Sequence, residues 1–138
     1  MEIRKALLDD YESIVFIDSQ VIGSRKRENE IHNSIVENRC IVCEINKSIG
    51  GFLIFHRFFF GHLFIDLIIV SPRMRRLGIA RNLMKYIERI GERKVFSSTN
   101  QSNSLMQNVL YSLGYIESGT IENLDEGDPE IVFVKVIH

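Results

Sequence analysis

The stretch SPRMRRLGIARNLMKYIE, residues 71–88, connects an apolar strand to an amphipathic helix. Pro72 ends the strand, because proline has no backbone N–H to give to a sheet. The helix opens at Gly78, and its apolar residues recur at helical spacing: Ile79, Ala80, Leu83, Met84, Ile87 and Ile90. The sequence therefore predicts a strand over 62–70, a short turn, and a helix that begins near Gly78 and stops at Gly91.

Four arginines lie in this turn and at the start of its helix: Arg73, Arg75, Arg76 and Arg81. The formal net charge of the chain is −1, which argues against nucleic acid or an anionic membrane as the main partner. A helix N-terminus offers unpaired N–H groups, and a glycine lets an anion approach them closely. The turn from Arg75 to Ala80 therefore predicts a phosphate or pyrophosphate site. A solvated basic turn is the alternative.

Strands and helices alternate along the rest of the chain. Apolar runs predict strands near 2–6, 39–45, 49–57, 62–70 and 94–99, and two more in YIESGTIENL and EIVFVKVI. The segment INKSIGG predicts a turn before the third strand, and Gly61 a hairpin bend. Helical spacing predicts helices over 7–22, with Asp9 or Asp10 as N-cap, over 28–37, and from Ser102 or Asn103 to 113. This order predicts an α/β or α+β fold with a mixed sheet.

We expect one domain over residues 1–138, because the sequence contains no repeat, linker or low-complexity stretch. It has no charged-then-apolar leader, and its longest apolar runs are far shorter than a membrane span. Cys40 and Cys43 form a C-x-x-C inside a predicted strand, where residues three apart face opposite sides. They are therefore interpreted as core residues rather than a redox pair, and a cytoplasmic location is expected.

The histidines do not have the spacing of metal ligands, so no metal is expected: His32, His56, His62 and His138. Two of them flank the aromatic segment FHRFFFGHLF, residues 55–64. Phe58, Phe59 and Phe60 could be core, or they could form an apolar rim that receives a substrate or a second subunit.

Two motifs resemble one family. The order V-x-P-x-x-R-x-x-G-x-A stands here as Val70, Pro72, Arg75, Gly78 and Ala80. It resembles the acetyl-CoA-binding signature of the GCN5-related N-acetyltransferase (GNAT) superfamily. The segment NSLMQNVLYSLGY, residues 103–115, looks like the later motif of that superfamily, and the resemblance covers essentially the whole chain. It implies a single GNAT-like domain whose central mixed, mostly antiparallel β-sheet is flanked by about four helices.

The resemblance also implies an activity: transfer of the acetyl group of acetyl-CoA to a primary amine by direct attack. The last residues of the strand over 62–70 would lie beside the pantetheine arm, the turn would hold the pyrophosphate, and Asn103 would contact the cofactor near the pantetheine. The implied cofactor-binding residues are Ile68, Ile69, Val70, Arg75, Arg76, Leu77, Gly78, Ile79, Ala80 and Asn103.

Two residues are candidates for catalysis. Many family members place a tyrosine acid four residues before the glycine of the Gly-aromatic pair, but this chain has Leu110 there. Tyr111 is one residue later, about 100° around the helix. Either it reaches the sulfur through a local distortion, or the enzyme works without a tyrosine acid. Asp66, an acid in an otherwise apolar strand, could bind the amine or accept its proton; it could also be only exposed or ion-paired.

The acceptor is expected to be a small-molecule or peptide amine. Glu130 could also face it, since the last hairpin lines the acceptor site in similar folds, although the turn at Asp128-Pro129 explains this segment as well. The alternative function is an acyl-CoA-binding sensor or interaction module with little catalysis, which Leu110 favours. A nucleotide-binding domain is a third possibility, although the Walker A and G-x-G-x-x-G patterns are absent. A homodimer stays open.

Overall fold

A computed structural model describes residues 1–91 and 93–137 of this chain. The described residues form seven β-strands: β1 Glu2–Lys5, β2 Cys40–Ile45, β3 Ser48–Phe59, β4 His62–Val70, β5 Lys94–Asn100, β6 Ile116–Ile121 and β7 Glu130–Val136. They also form four α-helices: α1 Tyr11–Ile22, α2 Glu28–Val36, α3 Ile79–Ile90 and α4 Ser104–Ser112. His138, one of the four histidines considered above, lies outside the described residues.

The strands form one mixed sheet in the order β1-β2-β3-β4-β5-β7-β6. The pairs β1–β2, β2–β3, β5–β7 and β6–β7 are antiparallel, whereas β4 and β5 are parallel. The parallel pair places Leu63 opposite Val95 and Ile65 opposite Ser97. The predicted fold class, a mixed and mostly antiparallel sheet with about four helices, is confirmed.

The chain divides into two compact units. The first comprises Met1–Phe55 and Leu67–Ile87. Its core joins the apolar faces of α1 and α2 to residues of β2 and β3: Ile14, Val15, Ile17, Ile31, Ile35, Cys40, Val42, Phe52 and Ile54. Burial of each large aliphatic side chain contributes about 1.5–3 kcal/mol, so this cluster stabilises the packing of the two helices against the strands.

The second unit comprises His56–Asp66 and Glu88–His138. Tyr115 and Phe133 are almost fully buried there. Glu88 accepts hydrogen bonds from Tyr115 Oη at 3.1 Å and from Lys135 Nζ at 2.8 Å. The strands β3 and β4 and the helix α3 contribute residues to both units, and a single domain over residues 1–138 stays a prediction from the sequence.

The turn predicted within INKSIGG is confirmed: it consists of Asn46 and Lys47, both with positive φ, and Gly50 lies inside the strand β3 that follows. Two other local predictions differ from the structure. Asp10 does precede α1, but its carboxylate makes no cap to the helix; it binds Arg4 and the backbone N–H of Leu7. The helical spacing of Leu105 with Val109 and Leu113 predicts that it is buried on the apolar face of α4, yet it is 75% exposed.

Candidate active site

The position of α3 depends on two glycines of β3. A Cβ on Gly51 would lie 2.8 Å from Ile79 Cγ2 and 2.9 Å from the carbonyl oxygen of Ile69. A Cβ on Gly50 would lie 2.9 Å from Ile79 Cδ1. Since all three distances are shorter than real Cβ contacts, these glycines allow the first residue of the helix to pack directly on the strand. The sequence analysis missed this role, although a glycine pair within an apolar strand is a signal of close backbone approach.

The chain leaves β4 through a short and well-bonded segment. The N–H of Ser71 donates to the carbonyl of Gly50 at 2.8 Å. A 3₁₀ turn, Pro72–Met74, follows, and the Met74 N–H donates to the Ser71 carbonyl at 3.0 Å. Ser71 is buried, and its hydroxyl accepts from the N–H of Arg73 at 3.4 Å. The predicted strand end at Pro72 is therefore confirmed, and the segment after it has a fixed starting point.

The turn that follows contains two left-handed residues. Arg76 has φ +68° and Gly78 has φ +79°, and α3 begins directly afterwards. Among the described residues, no acceptor is found for the backbone N–H groups of Arg75 to Ala80. The first hydrogen bond of the helix is donated by the N–H of Asn82 to the Gly78 carbonyl at 3.0 Å. Six successive amides at the positive end of a helix therefore remain available to an anion.

The arginines of the turn are also available. Arg73, Arg75 and Arg76 are exposed, and within residues 1–91 and 93–137 their guanidinium groups form no hydrogen bond or ion pair. By contrast, Arg4 and Arg27 are held by carboxylates of their own unit at 2.8 Å or less. The turn therefore combines backbone donors and guanidinium groups that have no acceptor among the described residues, an arrangement suited to phosphate groups.

The end of β4 leads into this turn. Ile68, Ile69 and Val70 are half-buried, and Ile69 packs against the core of the first unit together with Leu67. These side chains hold the strand in place.

Asn103 has a structural task. Its side-chain Oδ1 accepts the N–H of Met106 at 3.1 Å, so it is the N-cap of α4. The amide NH₂ group of Asn103 makes no hydrogen bond to the residues that the structure describes. It is the part of the side chain that can still contact a ligand.

The hydroxyl group of Tyr111 is already bonded. It lies 2.9 Å from Glu117 Oε2, and the ring packs edge-on against Phe133. The hydrogen bond to the carboxylate raises the pKa of Tyr111 above its ordinary value, with smaller contributions from desolvation and from the charge of Glu117. Leu110, at the position of the family's tyrosine, is fully buried.

Asp66 is an exposed acid near the middle of β4. Its ion-pair partner is His56, whose Nε2 lies 4.0 Å from Asp66 Oδ1. His56 Nδ1 accepts the N–H of Phe58 at 3.0 Å, so the neutral imidazole carries its proton on Nε2 and faces the carboxylate. Among the residues that the structure describes, Asp66 therefore has no lysine or arginine partner, and it can take a cation from solution.

The two cysteines are poorly placed to act as nucleophiles. Cys40 and Cys43 are both buried and unpaired, and burial raises the pKa of Cys40 to about 12. A thiol that stays protonated is a poor nucleophile. In the described part of the chain, no group of three or more His, Cys, Asp or Glu residues could hold a metal ion.

The comparisons with known proteins agree with this geometry. The profile of the Acetyltransferase (GNAT) family matches residues 2–115. A GNAT-family acetyltransferase from Bacillus cereus ATCC 10987 has 48% identity and a TM-score of 0.96, with 99% of this chain and 97% of that chain covered. The chain therefore belongs to the acetyltransferase (GNAT) family, which confirms the enzyme class expected from its motifs.

More distant structures share the fold alone. A protein from Bacillus anthracis str. Ames, assigned as a streptothricin acetyltransferase and solved with acetyl coenzyme A, has 15% identity and a TM-score of 0.65, over 70% of this chain and 61% of that one. An aminoglycoside 6'-N-acetyltransferase complexed with coenzyme A has 13% identity and a TM-score of 0.85, over 100% and 98%. Comparison with curated protein sequences gave no match. None of the described helices is long and apolar enough to cross a bilayer.

Proposed function

We propose that this protein transfers the acetyl group of acetyl-CoA to a primary amine, by direct attack of the amine on the thioester. One observation carries the proposal: the six unpartnered backbone N–H groups from Arg75 to Ala80, at the start of α3. A helix N-terminus with this many open donors is suited to a diphosphate, whose oxygens accept several hydrogen bonds at once.

The residues of the turn fit the phosphates of coenzyme A. Arg75 and Arg76 are exposed, flank the amides and lack an internal carboxylate partner among the described residues. Hydrogen bonds between a charged donor and a charged acceptor contribute about 1.5–3 kcal/mol each. Leu77, Gly78, Ile79 and Ala80 would contribute backbone N–H groups only. That two proteins of the same fold were solved with acetyl coenzyme A and coenzyme A supports this choice of ligand.

The end of β4 would bind the pantetheine arm. Ile68, Ile69 and Val70 would pair with it through backbone groups, and the N–H near Ile69 would stabilise the oxyanion of the tetrahedral intermediate. Asn103 would contribute the amide NH₂ group that its capping role leaves over. Each of these contacts is a proposal that extends the resemblance of the motifs to individual residues.

The amine must be neutral when it attacks. An alkyl amine with a pKa of about 10 is protonated in solution, so a base or a water must remove its proton. Asp66 is the proposed acceptor of that proton, because it is an exposed carboxylate without a permanent cationic partner among the described residues. The amine lone pair then forms the C–N bond, the C–S bond breaks with its electron pair leaving on the thiolate of coenzyme A, and the nitrogen loses its second proton to water to give the neutral amide.

Protonation of the thiolate need not involve Tyr111. The bond from Tyr111 to Glu117 raises the pKa of the phenol, which makes it a weaker acid. A thiolate with a solution pKa of about 8.5 can also leave without one. We therefore expect that Tyr111→Phe lowers kcat/KM less than threefold, whereas loss of a true general acid would lower it about 10²–10⁴-fold. Steady-state rates of coenzyme A release would decide between the two readings.

Two measurements test the function itself. Calorimetric titration should give saturable binding of acetyl-CoA and coenzyme A, and weaker binding of ATP and NAD, which share the phosphates but lack the pantetheine arm. Release of free thiol from acetyl-CoA, with a panel of amines, should then give turnover. Equal binding of all four ligands would indicate a general nucleotide site. Tight acetyl-CoA binding without thiol release would indicate an acyl-CoA-binding sensor instead. The cytoplasmic location and a homodimer stay predictions from the sequence.

A further inference from the structure

An aromatic cluster lies on one face of the second unit. The ring of Phe59 lies 4.8 Å from that of Phe64 and 5.0 Å from that of Phe96, measured between centroids. Phe64 and Phe96 are direct neighbours on β4 and β5. His56 stacks on Phe64 at 5.4 Å and on Phe58 at 6.0 Å, and Phe58 is 83% exposed. Phe58 adjoins the cluster through His56, near the end of β3, so the cluster is open to solvent at this edge.

The same face carries two carboxylates. Asp66 follows Phe64 by two residues, and its contact with His56 places it beside the rings. Ser98 follows Phe96 by two residues, and its hydroxyl donates to Glu130 Oε2 at 2.6 Å. Because Ile65 pairs with Ser97, Asp66 and Ser98 are the next residues along these two strands, and by alternation they lie on the face that carries Phe64 and Phe96. We call this surface the aromatic–acidic face: Phe58, Phe59, Phe64, Phe96, Asp66, Ser98 and Glu130.

None of the seven residues of the aromatic–acidic face is a lysine or an arginine. Four other carboxylates are paired with cations, namely Asp10 and Glu44 with Arg4, Asp18 with Arg27, and Glu88 with Lys135, whereas Asp128 is hydrogen-bonded to Ser102. Among the described residues, Glu130 has no cationic partner, and Asp66 has only His56 at 4.0 Å. Two negative charges beside low-dielectric aromatic rings repel each other, and a cation between them would relieve this repulsion.

We propose that the aromatic–acidic face binds the acceptor, and that the acceptor is a cationic primary amine attached to an aromatic or apolar body. The inference rests on the proposed function, since it names the substrate class of the same reaction. The ammonium group would be held between Asp66 and Glu130, and the apolar body would lie against the phenylalanine rings. The π-faces of these rings also attract a cation. An anionic acceptor would be repelled by both carboxylates.

Binding can be measured without acetyl-CoA, so this test does not depend on turnover. The probes are 2-phenylethylamine, propylamine, 2-phenylethanol and phenylacetate, titrated into the protein and followed by NMR. These compounds separate the ring from the charge. We expect the Kd of 2-phenylethylamine to be at least tenfold lower than that of each other probe. Equal affinity for propylamine would show that the phenylalanine rings do not contribute to binding. Equal affinity for phenylacetate would show that the two carboxylates do not.

Isosteric variants locate the site. Asp66→Asn and Glu130→Gln should each weaken 2-phenylethylamine at least fivefold, and Phe58→Ala should weaken it about three- to thirtyfold, as expected for loss of a cation–π and apolar contact. The matched controls are Glu122→Gln and Phe16→Ala, which alter exposed residues outside the face and should leave Kd unchanged. Equal losses of affinity in the controls, or no loss in the three test variants, would overturn the proposal. The absence of binding to the wild type at 10 mM ligand would also overturn it, because this concentration is about 10 times a weak Kd of 1 mM.

A turnover assay separates failure of this inference from failure of the proposed function. If propylamine and 2-phenylethylamine are acetylated with equal kcat/KM, the protein is an acetyltransferase but this acceptor class is wrong. If neither acetyl-CoA binding nor thiol release occurs while 2-phenylethylamine still binds in the manner described, the proposed function is wrong and the face binds amines for another purpose.

Discussion

Two helix N-termini of this protein are built in opposite ways. At α4, the Asn103 side chain accepts the Met106 N–H at 3.1 Å, so the chain satisfies its own helix end. At α3, the amides from Arg75 to Ala80 find no acceptor among the described residues, and arginines surround them. Every helix starts with unpaired N–H groups. Where the chain supplies no cap and gathers cations instead, the missing partner is expected to be a bound anion.

The largest expected effect tests the open terminus. Replacing Arg75 and Arg76 together by glutamate should weaken acetyl-CoA at least 100-fold, because two charge-assisted hydrogen bonds are lost and two repulsive charges are gained. Calorimetric titration gives the affinity. The double variant Lys26→Glu and Lys85→Glu has the same change in net charge at exposed positions away from the turn. If it weakens binding equally, the arginines act only through bulk charge.

The second prediction concerns the support of α3. Gly51→Ala should lower the free energy of unfolding by about 1–3 kcal/mol, since its Cβ would overlap the Ile69 carbonyl and Ile79. Chemical denaturation measures this loss. Gly119→Ala is the matched control, because a Cβ at Gly119 would meet nothing within 4 Å. A Gly51→Ala protein as stable as the control would mean that the close approach of helix and strand is unimportant.

The third prediction separates the two roles of Asn103. Asn103→Ala should cost about 1 kcal/mol of stability, the usual value for an N-cap. Asn103→Ser keeps a capping oxygen but removes the amide NH₂, so its stability should stay within about 0.5 kcal/mol of the wild type. If the NH₂ group contacts the cofactor, both variants should weaken acetyl-CoA. Unchanged affinity in both would leave Asn103 with a structural role only.

The smallest effect on stability is expected at Arg76. Its φ of +68° disfavours any residue with a Cβ, so Arg76→Gly should leave stability unchanged or raise it by up to about 1 kcal/mol. The same change removes one guanidinium and should weaken acetyl-CoA about tenfold. A variant that is destabilised and weakened together would indicate that the side chain has a structural contact.

The sequence was informative where the cause of a structure is local. Pro72 ended β4 and Gly78 preceded α3 as predicted, because each acts through its own backbone dihedral angles. The predicted hairpin bend at Gly61 was also confirmed, and it too depends on a local dihedral angle, φ +80°. The errors came where burial depends on distant segments: Leu105 has helical spacing, but no described element covers it, so spacing alone did not predict its exposure.

By itself, the sequence determined the order of strands and helices and the family, and it predicts the turn that we propose for phosphate binding, since hydrophobic period, glycine and proline are all read within a few residues. Only the tertiary structure decided that Gly51 makes room for Ile79, that Tyr111 is bonded to Glu117, and that Glu130 reaches Ser98. These contacts depend on strand register and on how helices pack, which are set by the summed burial of the whole core rather than by any local pattern.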